Sequence, residues 1–217
     1  MNDDTCMRQN LYETIIQLNN LGLNHGATGN CSIRKENSFL ISPSGIGNNL
    51  LKPDHMVEMN MDGTIKKINK YEPSSEWKFH KDIFEKRNDV NAIVHTHSLY
   101  ASALSVFGKP IPQFHYMIAV SGGKVIPCAK YAIFGSQQLS NNIIKSLGKQ
   151  KACLISNHGL VSVGSNLAES ANIAEEVEHL SQMYMEVKLH GEPNLLSDDE
   201  MNEVLVRFQS YGDWKKE

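Results

Sequence analysis

Two short apolar runs that end in polar residues place the strongest limit on how this chain can fold. Residues 91–95 (NAIVH) and 152–156 (ACLIS) have the length and composition of buried β-strands. Apolar residues at helical spacing predict helices around them, at 3–20, 74–87, 98–106, 136–147 and from 166 to Gly191. Buried strands interleaved with helices are typical of an α/β fold.

Shorter alternating segments predict the rest of the sheet. One hairpin is expected from residues 31–34 and 38–42, and a second from 56–60 and 64–68 around the Asp62-Gly63 turn. A further strand is predicted at about 124–128, and a last helix from 198 or 199 to about 209. No repeat or linker interrupts the 217 residues. We therefore expect a single α/β domain over 1–217, with a central mixed or antiparallel β-sheet flanked by α-helices.

Charge and hydropathy restrict the partners. The chain has 21 Lys and Arg against 24 Asp and Glu, a net charge of −3, so no basic surplus favours nucleic acid or anionic lipid. No apolar stretch is long enough for a membrane span, and the polar N-terminus is not a signal peptide. Four widely separated cysteines indicate buried, reduced thiols. We expect a cytoplasmic protein with no nucleic-acid or membrane partner, whereas a small phosphorylated ligand fits the composition.

Histidines end both apolar runs. His95 and His97 are two residues apart, so on a strand they point to the same side and can share one metal ion. His158, followed by Gly159, stands where the second run ends. Taken alone, the spacing of His95 and His97 is explained better by surface or capping histidines. Together with His158 they favour a metal site with three imidazoles, for which Zn²⁺ is better suited than Mn, Fe or Co.

Glu76 begins the helix predicted at 74–87 and has two interpretations. Acidic residues favour the first turn of a helix because of its dipole, which is the ordinary explanation. A carboxylate beside three histidines, however, could complete a four-coordinate site or act as a base. Ser74 and Ser75, together with the runs 26–30 (GATGN) and 42–45 (SPSG), offer hydroxyl and backbone N–H groups suited to an anion. No nucleotide-binding glycine motif is present in the sequence.

Tyr116 lies in an apolar segment that ends in glycines, 111–123 (IPQFHYMIAVSGG). Its hydroxyl could serve a site, although a half-buried core aromatic explains the pattern better. His25, His55 and His80 have no partner at ligand spacing, and we assign them no role.

Seven motifs in order resemble the class II aldolase/adducin-like family, over about residues 5–211. They are GATGN (26–30), SPSG (42–45), PSSEW (73–77), HTH (95–97), IPQFHYMIA (111–119), GGKVIPCAKY (122–131) and NHGL (157–160). Within the family, the motifs are most similar to those of members that cleave L-fuculose 1-phosphate.

The resemblance implies roles for individual residues. One zinc ion per subunit is implied at His95, His97, His158 and Glu76, with Glu76 also the acid/base. Tyr116 is implied to be the second catalytic residue, reaching a neighbouring subunit's site in a homotetramer. The implied phosphate-binding positions are Thr28, Asn30, Ser44, Gly45, Ser74 and Ser75.

The implied reaction is reversible cleavage of a ketose 1-phosphate into dihydroxyacetone phosphate and L-lactaldehyde, through a zinc-held enediolate. The family leaves alternatives open. A pentulose-phosphate 4-epimerase uses similar zinc chemistry, but has aspartate where this chain has Glu76. Another sugar-phosphate aldolase, a methylthioribulose-phosphate dehydratase and a non-enzymatic adducin-like interaction domain are further alternatives. The three histidines argue against the last.

Overall fold

The computed structural model describes residues 3–47, 49–66 and 70–208. Six α-helices occur in this part of the chain: α1 (Asp3–Asn20), α2 (Trp77–Lys86), α3 (Leu99–Ser105), α4 (Gln137–Leu147), α5 (Leu167–His190) and α6 (Asp198–Phe208). Two short 3₁₀ turns, Pro53–His55 and Tyr116–Ser121, lie between them. None of the helices in the described ranges combines the length and the apolar character that crossing a bilayer requires.

Seven strands of the described chain form one sheet: β1 (Asn30–Arg34), β2 (Ser38–Ile41), β3 (Val57–Asn60), β4 (Ala92–Thr96), β5 (Cys128–Ala129), β6 (Ala152–Ile155) and β7 (Gly159–Gly164). Their order across the sheet is β3-β2-β1-β4-β7-β6-β5. All neighbours are antiparallel except β5 and β6, which are parallel. The prediction of an α/β fold with a mixed sheet is therefore confirmed.

The sheet is buried on both faces because helices cover each of them. On β4, Val94 packs in the cluster that includes Leu11 of α1 and Val177 of α5. The preceding residue, Ile93, points to the opposite face of the sheet. It packs in the cluster that contains α2 and α4 side chains such as Ile83. Adjacent strand residues thus enter different cores, as the alternation of side chains requires. Such double burial explains why the 91–95 run contains no polar residue between Asn91 and His95.

Strand β7 was not predicted, and it lies inside the sheet next to the central strand β4. Its sequence, GLVSVG, begins and ends in glycine and carries a serine in the middle, which weakens the strand signal. It pairs antiparallel with both β4 and β6. As a result, β4 and β6 run in the same direction, and their carboxyl ends lie at the same edge of the sheet.

Three other predictions need correction. Helix α2 begins at Trp77 rather than residue 74, so Ser74 and Ser75 precede the helix in a loop. The second strand of the second hairpin was predicted at 64–68. Among its described residues, 64–66, the structure has an isolated bridge between Ile65 and Met59, and residues 67–69 lie outside the described ranges. The strand predicted at 124–128 shrinks to Cys128–Ala129, since Pro127 has no N–H for the ladder.

The cysteines are all free thiols. Burial, as predicted, holds for Cys31 and Cys153, but Cys6 on α1 is exposed and Cys128 is partly buried. Burial raises the pKa of the Cys31 thiol to about 12, so this thiol is protonated at neutral pH.

Candidate active site

Three imidazole rings meet at the carboxyl edge of β4 and β6. His95 belongs to β4, His97 follows it, and His158 occupies the turn between β6 and β7. The ring centroids lie 4.8 Å apart for His95 and His97 and 4.9 Å apart for each of the other two pairs. The rings are nearly perpendicular to one another, with interplanar angles of 70° to 86°. This arrangement points three ring nitrogens toward one spot.

The β6–β7 turn places His158 there through two unusual backbone features. Asn157 has a φ of 54°, in the left-handed region that asparagine tolerates better than most residues. Gly159 pairs with Ile155 across the turn, and a Cβ at Gly159 would overlap with the carbonyl oxygen of Thr96. The Asn157-His158-Gly159 sequence therefore brings the turn against the end of β4, which a larger residue at 159 would prevent.

Glu76 completes the cluster. It stands at the N-cap position of α2, yet its side chain makes no capping hydrogen bond. Its Oε2 lies 3.2 Å from His95 Nε2, and its Oε1 lies 3.5 Å from His158 Nε2. The side chain is only 7% exposed. The dipole-cap interpretation of Glu76 thus has no contact to support it, because the carboxylate faces the histidines.

The donor set fits a divalent metal. One ligand atom from each of Glu76, His95, His97 and His158 lies within 4.8 Å of all the others. Glu76 Oε1 is buried and has no hydrogen-bond partner, an unfavourable state that a metal ion would relieve. His95 Nδ1 lies 2.8 Å from the carbonyl oxygen of Leu160, which fixes the proton on Nδ1 and leaves Nε2 free to coordinate. Three imidazoles and a carboxylate are a ligand set that suits zinc.

Burial and charge set the protonation states of the cluster. Burial and, to a smaller extent, the nearby His95 together lower the pKa of His97 to about 3 and that of His158 to about 4. Burial alone would raise the pKa of Glu76, but the attraction of His95 outweighs this and holds that pKa well below its usual range. At neutral pH the site therefore offers a carboxylate and neutral imidazoles at 97 and 158, the forms that bind metals.

A pocket of about 360 Å³ opens beside the cluster. Its lining includes the phosphate-binding candidates predicted from sequence: Thr28, Asn30, Ser44, Gly45, Ser74 and Ser75. Ser44, Gly45 and Ser75 are exposed there, whereas Ser74 is buried and accepts a hydrogen bond from the Glu76 backbone N–H at 3.3 Å. The Thr28 hydroxyl is engaged with the backbone of His25. Among the described residues that line the pocket there is no lysine or arginine.

A comparison with known families identifies the family of this chain. The sequence profile described as Class II Aldolase and Adducin N-terminal domain matches residues 9–185, most of the chain. The chain belongs to the class II aldolase and adducin family.

Individual members of that family resemble the chain over nearly their full lengths. The 5-methylthioribulose-1-phosphate/5-deoxyribulose-1-phosphate aldolase of Rhodospirillum rubrum is 41% identical over 208 residues, covering 96% of this chain and 93% of the relative. The L-fuculose phosphate aldolase of Escherichia coli strain K12 is 40% identical over 207 residues, covering 95% of each. A solved structure of an L-fuculose 1-phosphate aldolase superposes with a TM-score of 0.91 at 34% identity, covering 96% of this chain and 98% of the other. The prediction of the family is confirmed.

Tyr116 is the one predicted site residue of this class II aldolase-family chain that lies apart from the others. It begins the 3₁₀ turn Tyr116–Ser121, is 49% exposed, and does not line the pocket within the described residues of its own subunit.

Sequence reasoning missed two groups of residues in this family member. The aromatic side chains of Tyr131 and Phe134 form an exposed wall of the pocket, and no spacing rule distinguishes such a loop from any other. His80 was assigned no role, yet it is fully buried next to Asn30. The available signal was its position four residues after Glu76, which on a helix places both on one side.

Proposed function

We propose that this chain is a zinc-dependent lyase that reversibly cleaves a ketose 1-phosphate between C3 and C4. L-fuculose 1-phosphate is our first candidate substrate, and dihydroxyacetone phosphate and L-lactaldehyde are its products. One observation carries the proposal: a carboxylate and three imidazoles converge beside a pocket whose other lining residues include serines, glycines and two aromatic rings. Membership of the family and the names of its relatives support the aldol class of reaction.

The metal site is the first part of the mechanism. We assign His95, His97, His158 and Glu76 as the groups that hold zinc. When bound, a zinc ion acts as a Lewis acid that polarises the substrate's carbonyl group. The remaining steps are proton transfers and binding contacts made by the chain itself.

Glu76 is our candidate for the proton transfer at C3. Cleavage leaves the C3 carbon of the dihydroxyacetone phosphate half one proton short, and the reverse reaction removes that proton. The carboxylate is buried, ionised at neutral pH and has one oxygen, Oε1, without a hydrogen bond. A group with these properties can take up and return a proton next to the pocket.

We expect the substrate's phosphate group on the side of the pocket away from the three histidines. Ser44, Gly45 and Ser75 are exposed there, and hydroxyl and backbone N–H groups bind phosphate without a cation. Thr28, Asn30 and Ser74 complete our assignment. The carboxyl group of Glu76 is the one acidic group among the described lining residues, so a dianion is best accommodated away from it.

We assign Tyr116 to the proton of the C4 hydroxyl, in the pocket of an adjacent subunit. Its exposed position outside its own pocket supports this assignment, because a tyrosine hydroxyl on the surface can enter a neighbour's site. The assembly we propose is a homotetramer in the cytoplasm, with one zinc ion per subunit and the whole chain, 1–217, as one catalytic domain.

A second substrate class is favoured by the relative from Rhodospirillum rubrum, which is named for 5-methylthioribulose 1-phosphate and 5-deoxyribulose 1-phosphate. These sugars and L-fuculose 1-phosphate share a carbon chain that ends in an apolar group. The rings of Tyr131 and Phe134, together with Ala132, give the pocket an apolar wall suited to such an end. The wall does not distinguish a methyl from a methylthio group by size, so both remain candidates.

The test is a panel of ketose phosphates assayed with zinc, and again after chelation. L-fuculose 1-phosphate, L-rhamnulose 1-phosphate, 5-deoxyribulose 1-phosphate and 5-methylthioribulose 1-phosphate are scored for aldehyde release. A pentulose 5-phosphate is scored for epimerisation, and methylthioribulose 1-phosphate also for loss of water. We expect zinc-dependent aldehyde release from at least one ketose 1-phosphate. Epimerisation or dehydration without aldehyde release, or no reaction of any substrate with the zinc-loaded protein, would overturn the proposal.

A further inference from the structure

A line of hydrogen bonds runs from the sheet to the Glu76 carboxylate through His80. His80 Nδ1 lies 2.7 Å from Ser32 Oγ, and His80 Nε2 lies 2.6 Å from Asn30 Oδ1. Asn30 Nδ2 then donates to Glu76 Oε2 at 3.0 Å. His80, on α2, and Ser32, on β1, are both 0% exposed, so no solvent competes with these contacts.

Chemistry fixes the direction of every bond in this line. An ionised carboxylate only accepts hydrogen bonds, so the Asn30 group that faces Glu76 is the NH₂. The Asn30 carbonyl oxygen therefore faces His80, and His80 Nε2 must carry a proton in order to donate to it. In a neutral imidazole the other nitrogen, Nδ1, is then an acceptor, and it receives the Ser32 hydroxyl proton. The bonding pattern thus specifies the Nε2–H tautomer of His80.

The neutral state of His80 agrees with its surroundings. Burial lowers the pKa of His80 to about 3, and the nearby His95 acts in the same direction. The ring also stacks on Phe79, with centroids 4.4 Å apart, which restricts its rotation. His80 is therefore held in one tautomer and one orientation.

We propose that His80 is a positioning residue that acts through Asn30 on Glu76. By fixing the Asn30 carbonyl, His80 keeps the Asn30 amide N–H directed at Glu76 Oε2. That bond anchors one carboxylate oxygen and leaves Oε1, which has no hydrogen bond, directed toward the cluster of imidazoles. Without the His80 donor, the Asn30 carbonyl oxygen loses its partner, and the amide is held only by its bond to Glu76, which fixes its position less tightly. The proposal rests on the proposed function of Glu76.

The tautomer can be measured without turnover. ¹⁵N-histidine-labelled protein, zinc-free and zinc-loaded, is examined by NMR, and the His80 resonances are assigned by their loss in His80→Gln. We expect a neutral ring with the proton on Nε2 in both samples, with no titration between pH 5 and 8. A ring protonated on Nδ1 alone cannot donate to Asn30, and that finding would overturn the proposal. The result does not depend on which reaction the protein catalyses.

Matched substitutions separate positioning from packing. His80→Leu fills the buried position with an apolar side chain but removes the donor, whereas His80→Gln keeps an N–H donor. Loss of a residue that orients a ligand typically costs about 10–100-fold in metal affinity or activity. We expect losses in this range in zinc affinity, by competition with a chromophoric chelator, and in kcat for His80→Leu, with KM nearly unchanged. His80→Gln should recover most of both. Equal losses in the two variants would mean that His80 only fills space.

A double-mutant cycle tests the route through Asn30. If His80 acts through that amide, His80→Leu has no further effect on zinc affinity or kcat in an Asn30→Ala background. Additive losses would show that His80 acts by another route, and would overturn the proposal. Should His80→Leu fail to fold, the cycle is run with His80→Asn, whose shorter amide does not occupy the Nε2 position. If no substrate is cleaved, the proposed function fails, while the tautomer and the zinc affinities still decide the role of His80.

Discussion

His95 Nδ1 lies 2.8 Å from the backbone carbonyl oxygen of Leu160 on the neighbouring strand. The contact crosses the β4–β7 pairing, in which Thr96 is opposite Leu160. The sheet backbone itself therefore sets which ring nitrogen of His95 faces the cluster. The ring of this candidate metal ligand is thus preorganised by main-chain hydrogen bonding.

Removing one imidazole should remove the metal and the activity together. For His158→Ala we expect at least a tenfold loss in zinc affinity and loss of zinc-dependent cleavage. His179→Ala is the matched control, because that histidine is exposed on α5 and is not one of the four clustered residues. Zinc content by metal analysis and affinity by chelator competition are the measurements. Wild-type zinc content in His158→Ala would exclude His158 as a ligand.

Glu76→Gln should separate chemistry from folding. Glutamine preserves the shape and can offer one oxygen to zinc, but it does not exchange a proton at neutral pH. We expect a folded, zinc-binding variant whose cleavage rate falls by at least about 10². Hydrogen exchange into dihydroxyacetone phosphate should fall equally, since it reports the C3 proton without the aldehyde. Glu85→Gln, an exposed change on the same helix, serves as control. Exchange at the wild-type rate in Glu76→Gln would move the base to another residue.

Tyr116→Phe should slow cleavage by roughly 10²–10⁴-fold, the usual contribution of a general acid or base, with zinc content unchanged. Tyr100→Phe is the control, because the Tyr100 hydroxyl contacts only Gln182 among the described contacts of its side chain. The decisive measurement mixes inactive Tyr116→Phe and Glu76→Gln subunits. Shared sites predict that part of the activity returns on mixing. Sedimentation of the active wild-type protein as a monomer would contradict the composite site.

The serine side of the pocket should control phosphate binding rather than the chemical step. A hydrogen bond to a charged group contributes about 1.5–3 kcal/mol, so Ser44→Ala should raise KM about tenfold or more with a small change in kcat. The control is an inhibitor series: binding of dihydroxyacetone phosphate should weaken in Ser44→Ala, while binding of dihydroxyacetone should not. Equal weakening of the two ligands would place the phosphate elsewhere.

Acidification should destabilise the zinc-free protein partly through His80. The pKa of His80 is lowered to about 3 in the folded state from an ordinary value of 6.5, so the unfolded chain takes up the proton first as pH falls. The stabilising contribution of the neutral ring is complete above pH 6.5 and is lost progressively toward pH 3. One such group changes the unfolding free energy by at most about 1.4 kcal/mol per pH unit. Urea unfolding at pH 7 and pH 5 should therefore show a smaller pH effect in His80→Gln than in wild type. The same pH effect in both proteins would mean that His80 is charged when folded.

The sequence was informative where residue types and spacing act locally. The apolar run before His95 predicted β4, and the two-residue spacing of His95 and His97 predicted a shared face. The turn that holds His158 was harder, because it depends on β7, whose glycine and serine content hides a strand buried by its neighbours. His80 was missed for a related reason. A buried histidine looks ordinary in sequence, and its hydrogen bonds to Asn30 and Ser32 come from a strand about fifty residues away.

The position of Glu76 could be read from the sequence, but its orientation could not. Residues 74–76 look like the start of a helix, so the predicted helix begins at residue 74, three residues before the observed start at Trp77. In the structure the carboxylate turns away from the helix N–H groups toward His95 and His158. Tertiary contacts with the strand edge outweigh the local preference for capping, and no local pattern reports such contacts.

The insertion of β7 between β4 and β6 has a consequence for how the protein matures. His97 and His158 belong to segments about sixty residues apart, and they meet only when β7 has paired on both sides. Closing the long loop between these segments costs conformational entropy, which the strand pairings and the packing around them must offset. A chain without these two pairings therefore does not bring the four candidate metal ligands together. Affinity for a metal ion at these four residues would therefore report whether the central strands have assembled.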